Sequence, residues 1–172
     1  AAAGSCAHVS PFDISSQETN QQGIAFSKSG EKMFIVGNVG DDVNEYTLTG
    51  AYCIGTASFV DSFDISSQEP NPTGLAFSKS GEKMFIMGNV GDDVNEYTLT
   101  VAWDVSTASF VDAFSISSQE EDAHAVVFSK SGEKMYIVGN TGGAHVDVCT
   151  ETACVNEYTL TTAWDVSTAS FV

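Results

Sequence analysis

The stretch Ala76-Phe77-Ser78-Lys79-Ser80-Gly81-Glu82-Lys83-Met84-Phe85-Ile86 decides the fold, because it occurs three times. The same residues run from Ala25 to Ile35, and a close copy runs from Val127 to Ile137. Flanking blocks repeat with it. Phe12-Asp-Ile-Ser-Ser-Gln-Glu returns at Phe63 and, with one change, at Phe114, each time 51 residues on. Asp42-Val-Asn-Glu-Tyr-Thr-Leu-Thr returns at Asp93, and without its first residue at Val155. Tyr158 follows Tyr97 by 61 residues where Tyr97 follows Tyr46 by 51, so the third unit carries a ten-residue insertion. A fixed period of this length is the mark of a repeat architecture.

Within the second unit the pattern predicts four strands. Gly74-Leu-Ala-Phe-Ser is the first, ended by the turn Lys79-Ser-Gly-Glu with glycine at its positive-φ position. Lys83-Met-Phe-Ile-Met-Gly is the second, and its unbroken apolar centre predicts burial on both faces. Asp93 to Thr100 is the third, with a mixed pattern that predicts partial exposure. Thr107 to Ile116 is the fourth. No apolar stripe of helical period is present, and β-branched and aromatic residues fill the strand positions. Four short antiparallel strands per unit describe an all-β array of β-propeller-type blades. The boundaries are residues 1–9, the end of a preceding outer strand; 10–60, blade 1; 61–111, blade 2; and 112–172, blade 3 with its insertion.

The Ala-Phe-Ser-Lys-Ser-Gly-Glu-Lys-Met-Phe-Ile block resembles the Phe-Ser-Pro-Asp-Gly-x-x-Leu-Tyr-Val core of YVTN-type and WD-like propeller repeats, with Lys-Ser in place of Pro-Asp. The Ala-Trp-Asp-Val-Ser-Thr-Ala-Ser-Phe-Val stretch at 102–111 and 163–172 is similar to repeats in secreted bacterial and phage-associated propellers of unassigned function. The resemblance implies fold more than activity, although some propellers of this kind are lactonases. Closed propellers need about 4–8 blades, and three are counted here. The ring or array is therefore expected to be completed by further chain or by other copies. Bare end blades would expose apolar faces and strand edges, which predicts head-to-tail association into a ring or a filament.

The chain carries 23 acidic residues against six lysines, no arginine, and a net charge of −17. A surface this negative repels nucleic acid, and no run is long and apolar enough for a transmembrane segment. The charges sort by loop. Lys28, Lys32, Lys79, Lys83, Lys130 and Lys134 flank the first hairpin of each unit and form a predicted lysine rim. Asp41, Asp42, Asp92, Asp93, Glu121 and Asp122, joined by Glu18, Glu69, Glu120, Asp147 and Glu151, form a predicted acidic rim. That rim is a candidate for Ca²⁺ or for the lysine rim of another copy, although no dedicated calcium loop pattern is present. No other cofactor is expected.

Four cysteines fit an oxidising, extracellular compartment. Cys149 and Cys154 enclose four residues inside the insertion and are expected to form a disulfide. Cys6 and Cys53 occupy similar parts of neighbouring units and are candidates for a second bridge, within or between chains. The repeated aromatic at Tyr52, Trp103 and Trp164 is read as packing, with sugar stacking as the alternative. His124, beside Asp122, is read as an ordinary surface residue, and His145 near Cys149 gives only a weak metal signal. No nucleophile elbow, phosphate loop or zinc-protease motif occurs, and near-identical repetition suits a scaffold better than a catalytic site. The sequence therefore predicts a non-enzymatic extracellular structural or adhesive repeat protein. The alternatives are a glycan- or Ca-binding module and a lactonase-like enzyme.

Overall fold

The alternation along each strand dictates what is built. In the computed structural model, which describes residue 6, residues 11–140 and residues 154–172, the strands form three four-stranded antiparallel sheets, and the outer strands of the first two run past the expected boundaries at 60/61 and 111/112. Blade 1 contains β1 (Gln21–Phe26), β2 (Lys32–Gly37), β3 (Asp42–Leu48) and β4 (Ala57–Asp64). Blade 2 contains β5 (Pro72–Phe77), β6 (Lys83–Gly88), β7 (Asp93–Leu99) and β8 (Ala108–Ser115). Blade 3 contains β9 (Ala123–Phe128), β10 (Lys134–Gly139), β11 (Cys154–Leu160) and β12 (Ala169–Phe171). Strands are ordered by sequence within each sheet, and β1, β5 and β9 lie side by side. Three single-turn 3₁₀ segments, Ile54–Thr56, Val105–Thr107 and Val166–Thr168, precede the outer strands. Thr107, which the sequence assigned to the start of the fourth strand, thus belongs to a helical turn.

The second strand of a blade is buried on both faces, as its pattern requires. Side chains of even number in β2, Phe34 and Val36, join Val43 of β3 and pack forward onto blade 2. Met33 and Ile35, of odd number, join Tyr46 and Leu48 and face backward. The next joint repeats this arrangement, with Phe85, Met87 and Val94 against Val126, Met135, Ile137, Tyr158 and Leu160 of blade 3. The third strands β3 and β7 are more buried than their mixed pattern predicted. Asn95 and Glu96 are both 2% exposed. Asn95 donates to Asp93 Oδ1 at 2.6 Å, and Glu96 is covered by the following blade.

The recurring Ser-Ser-Gln-Glu motif has a structural role. It forms a turn in which the Glu69 and Glu120 amides donate to the Ile65 and Ile116 carbonyls at 2.9 Å. In blades 1 and 2 the turn tucks Glu18 and Glu69 under the hairpin between the second and third strands. Glu69 accepts from Asn71 N at 2.8 Å and Val90 N at 3.2 Å, and Glu18 accepts from Asn20 N and Val39 N in the same way. Glu18, Glu69 and Glu120 are therefore buried, not displayed on the rim as expected. Gly88 makes room for this. A Cβ there would lie 2.1 Å from Glu69 Cδ and 2.5 Å from the Asn71 carbonyl oxygen.

Burial raises the carboxyl pKa values of Glu69, Asp42 and Asp93 above the ordinary range. A raised folded-state pKa means that the folded chain holds more protons than the unfolded one. Stability then falls as pH rises through that window, and recovers as pH is lowered. The exposed Asp13 and Asp64 are shifted down by hydrogen bonds from Ser15 and Ser66, and lose their contribution only below the ordinary carboxylate range of about 4. The melting temperature should therefore be higher near pH ~5 than near pH ~8; a steady fall from pH ~8 down to ~5 by scanning calorimetry would contradict this account. Gly88→Ala should cost about 1–3 kcal/mol or more in denaturant unfolding, because backbone as well as side-chain atoms crowd the added methyl group.

Candidate assembly interface

Each blade is gripped by the next through a polar joint beside the apolar one. Phe34 pairs with Glu45 across β2 and β3, so Lys32 lies diagonal to Glu45 on the same face. Lys32 Nζ donates to Glu45 Oε1 at 2.6 Å and to the Trp103 carbonyl of blade 2 at 2.7 Å. The other oxygen of Glu45 accepts from Val105 N at 3.0 Å. One lysine–glutamate pair thus satisfies both a carbonyl and an amide of the 3₁₀ turn in the following blade. The second joint repeats every contact. Lys83 Nζ reaches Glu96 at 2.5 Å and the Trp164 carbonyl at 2.7 Å, and Glu96 accepts from Val166 N at 2.9 Å. Glu45 and Glu96 are each 2% exposed, while their lysines keep partial contact with solvent.

The receiving turn is shaped for this contact. Tyr52, Trp103 and Trp164 hold positive φ angles of 59°, 64° and 64°, a region costly for side chains with a Cβ. The Trp103 indole compensates by lying on Gly81, where a Cβ would come within 2.2 Å of the ring, and by packing 5.2 Å from Phe77 and 6.2 Å from Phe34. Trp103 and Trp164 therefore pack in the joint as read from sequence, while Tyr52 is 57% exposed. Asp104 and Asp165 cap their turns by accepting from Ser106 N and Ser167 N at 3.1 Å. Cys53 takes that place in blade 1 and has no side-chain cap. It is bonded instead to Cys6, with Cα atoms 5.7 Å apart, so the Cys6–Cys53 bridge is present within one chain. Cys149 lies outside the described residues, and with it the expected Cys149–Cys154 pairing.

Among the described residues, the corresponding halves of the joint on blades 1 and 3 are more exposed. On blade 3, Val127, Val138 and Val155 stand where Ala76, Met87 and Val94 stand in blade 2. They are 57%, 38% and 67% exposed, whereas Met87 and Val94 are fully buried. Lys134 pairs with Glu157 as its counterparts do, but the two side chains are 45% and 36% exposed. That hydrogen bond raises the Lys134 pKa. On blade 1, Ile24 is 57% exposed while the equivalent Leu75 and Val126 are buried. A hollow of about 330 Å³ lined by Phe12, Ile14, Ile24, Met33, Ile35 and Ile54 opens beside it.

The predicted rims separate into different roles. Lys28, Lys79 and Lys130 are exposed at hairpin tips, while Lys32, Lys83 and Lys134 are held in ion pairs. Asp41 and Asp92 occupy positive-φ positions in the turns between second and third strands. Asp42 and Asp93 accept from Asn44 and Asn95 at 2.6 Å. Glu121 is exposed, and Asp122 accepts from Asn140 at 3.3 Å and lies 3.7 Å from His124. Among the described residues no three of these side chains converge as metal ligands. His145, Asp147 and Glu151 lie outside the described residues. Glu45, Glu96 and Glu157 were not singled out from sequence. Their signal was a charged residue in the middle of a strand that repeats in every unit. Two further clefts lie between blades, of about 320 and 410 Å³. The first is lined by Ser27, Ser29, Glu31, Thr47 and Trp103, and the second by their counterparts Ser78, Ser80, Glu82, Thr98 and Trp164.

No protein-family model matches the chain, and no curated protein does. Solved structures do. A putative 6-phosphogluconolactonase from Bacteroides fragilis has a TM-score of 0.59 at 10% identity, covering 88% of this chain and 37% of its own. The periplasmic gluconolactonase of Pseudomonas aeruginosa has a TM-score of 0.57 at 13% identity, covering 88% and 37%. The β-propeller domain of Cps50 (Swd1) from Myceliophteria thermophila has a TM-score of 0.52 at 14% identity, covering 88% and 41%. The chain spans about two fifths of each of these proteins. At such identities the likeness is one of fold: three consecutive blades of a β-propeller.

Proposed function

We propose that this chain is a structural repeat protein of an extracellular setting that assembles head to tail, the forward face of blade 3 docking on the backward face of blade 1 in the next copy. One observation carries the reading. Val127, Val138 and Val155 are open to solvent on blade 3, while the equivalent residues of blades 1 and 2 are covered by a following blade. Fully burying one such side chain is worth about 1.5–3 kcal/mol, which favours association. Front and back faces differ, so the contact is heterologous and yields a ring if the rotation closes or a filament if it does not. The Cys6–Cys53 bridge supports an oxidising compartment. No described helix is long and apolar enough to cross a membrane.

A second reading has its own support. The two equivalent inter-blade clefts combine an indole with several hydroxyl groups, a combination suited to a sugar. A glycan array with Trp103→Ala and Trp164→Ala as controls tests it. The lactonase reading rests on the names of proteins alike only in fold, and turnover of a sugar lactone would be needed to support it.

The assembly reading is tested by light scattering and sedimentation from ~1 to ~500 μM, a range chosen to span typical transient affinities. Mass should rise with concentration. Val155→Asp, which puts a charge on the exposed face, should keep the β-sheet circular dichroism spectrum and hold the chain monomeric. A wild-type chain that stays monomeric throughout would sink the reading.

A further inference from the structure

We infer that Lys134 and Glu157 are the recognition clamp for the Tyr52–Ile54 turn of a second copy of this chain. The inference rests on the head-to-tail reading and adds what makes it selective. In both internal joints the lysine donates to the carbonyl of the aromatic residue in the turn, and the glutamate accepts from the amide two residues later. Lys134 and Glu157 are already paired in the same way and face no turn among the described residues. Tyr52 and Ile54 are the matching carbonyl and amide, at the positions of Trp103 and Val105. Val105 N and Val166 N each donate to a glutamate of the preceding blade, and Ile54 leads the corresponding turn of blade 1.

The apolar parts of the two halves also correspond. At the internal joints Phe34 packs 4.5 Å from Phe77, and Phe85 packs 4.3 Å from Phe128, each beside the turn tryptophan. Tyr136 is the equivalent forward ring on blade 3. On blade 1, Phe26 and Tyr52 form the equivalent receiving pair at 5.5 Å, with Tyr52 57% exposed. The Cys6–Cys53 bridge holds this turn where the other two rely on an aspartate cap. The clamp has a polarity. A cation must meet the carbonyl and a carboxylate must meet the amide, so reversing the charges cannot preserve it.

The test uses full-length chains with one half of the joint removed. Glu157→Gln damages the clamp and leaves the turn intact. Ile54→Pro removes the amide donor and leaves the clamp intact; proline is tolerated at the first position of a helical turn. Each variant alone should self-associate roughly tenfold to hundredfold more weakly than wild type, as expected for losing a hydrogen bond to a charged group. Mixed in equal amounts, they should form a one-to-one pair of near wild-type affinity, since one native joint can form between them. Reversal of the pair, Lys134→Glu with Glu157→Lys, should leave the melting temperature of the dilute monomer near wild type and abolish association. If circular dichroism shows that Ile54→Pro does not fold, Tyr52→Ala serves as the turn variant. A wild-type chain that associates while these variants associate equally well, or a mixture with no rescue, overturns the clamp and leaves assembly standing. A wild-type chain that never associates overturns both.

Discussion

A single blade cannot shelter itself, and the structure follows from that constraint. Its second strand is apolar on both sides, so one face must be covered from the front and the other from behind. Aromatic and aliphatic contacts meet most of this need. They carry little directional information, however, because apolar packing is broadly tolerant of sliding. The lysine–glutamate pair supplies direction. Its two charged ends meet two fixed backbone groups of the next blade, which sets how the second sheet sits on the first. Burial of Glu45 and Glu96 would be costly without those partners, and with them each carboxylate is matched on both oxygens.

The same economy explains the negative charge. Three of the 23 acidic residues, Glu18, Glu69 and Glu120, are buried loop anchors that accept backbone amides. Others, such as Asp104 and Asp165, cap 3₁₀ turns. Much of what looks in composition like an acidic surface is used to satisfy amides that no strand ladder reaches. Among the described residues, Asp61 and Asp112 lie on outer strands, where charge discourages uncontrolled pairing of edges.

The asymmetry between the end blades and the middle one is local. Blade 1 replaces the aspartate cap by a disulfide and the tryptophan by tyrosine. Blade 3 carries valines where alanine and methionine stand in blade 2, and tyrosine where phenylalanine stands.

The repeat, the four strands and the buried second strand were all legible in sequence, because each depends on neighbours a few residues away and on the period of two that a strand imposes. Phe85 and Met84 could be assigned to opposite faces from spacing alone. The grip of Lys32 on a carbonyl 71 residues further on could not, since local pattern does not say which turn comes to rest beside which lysine. The acidic residues were misjudged for a related reason. Glu69 reads as a surface charge until the hairpin at Val90 folds over it. Sequence determined the blades through short-range sterics and alternation. Only the tertiary structure decided what joins them, because that depends on backbone groups brought together across the fold.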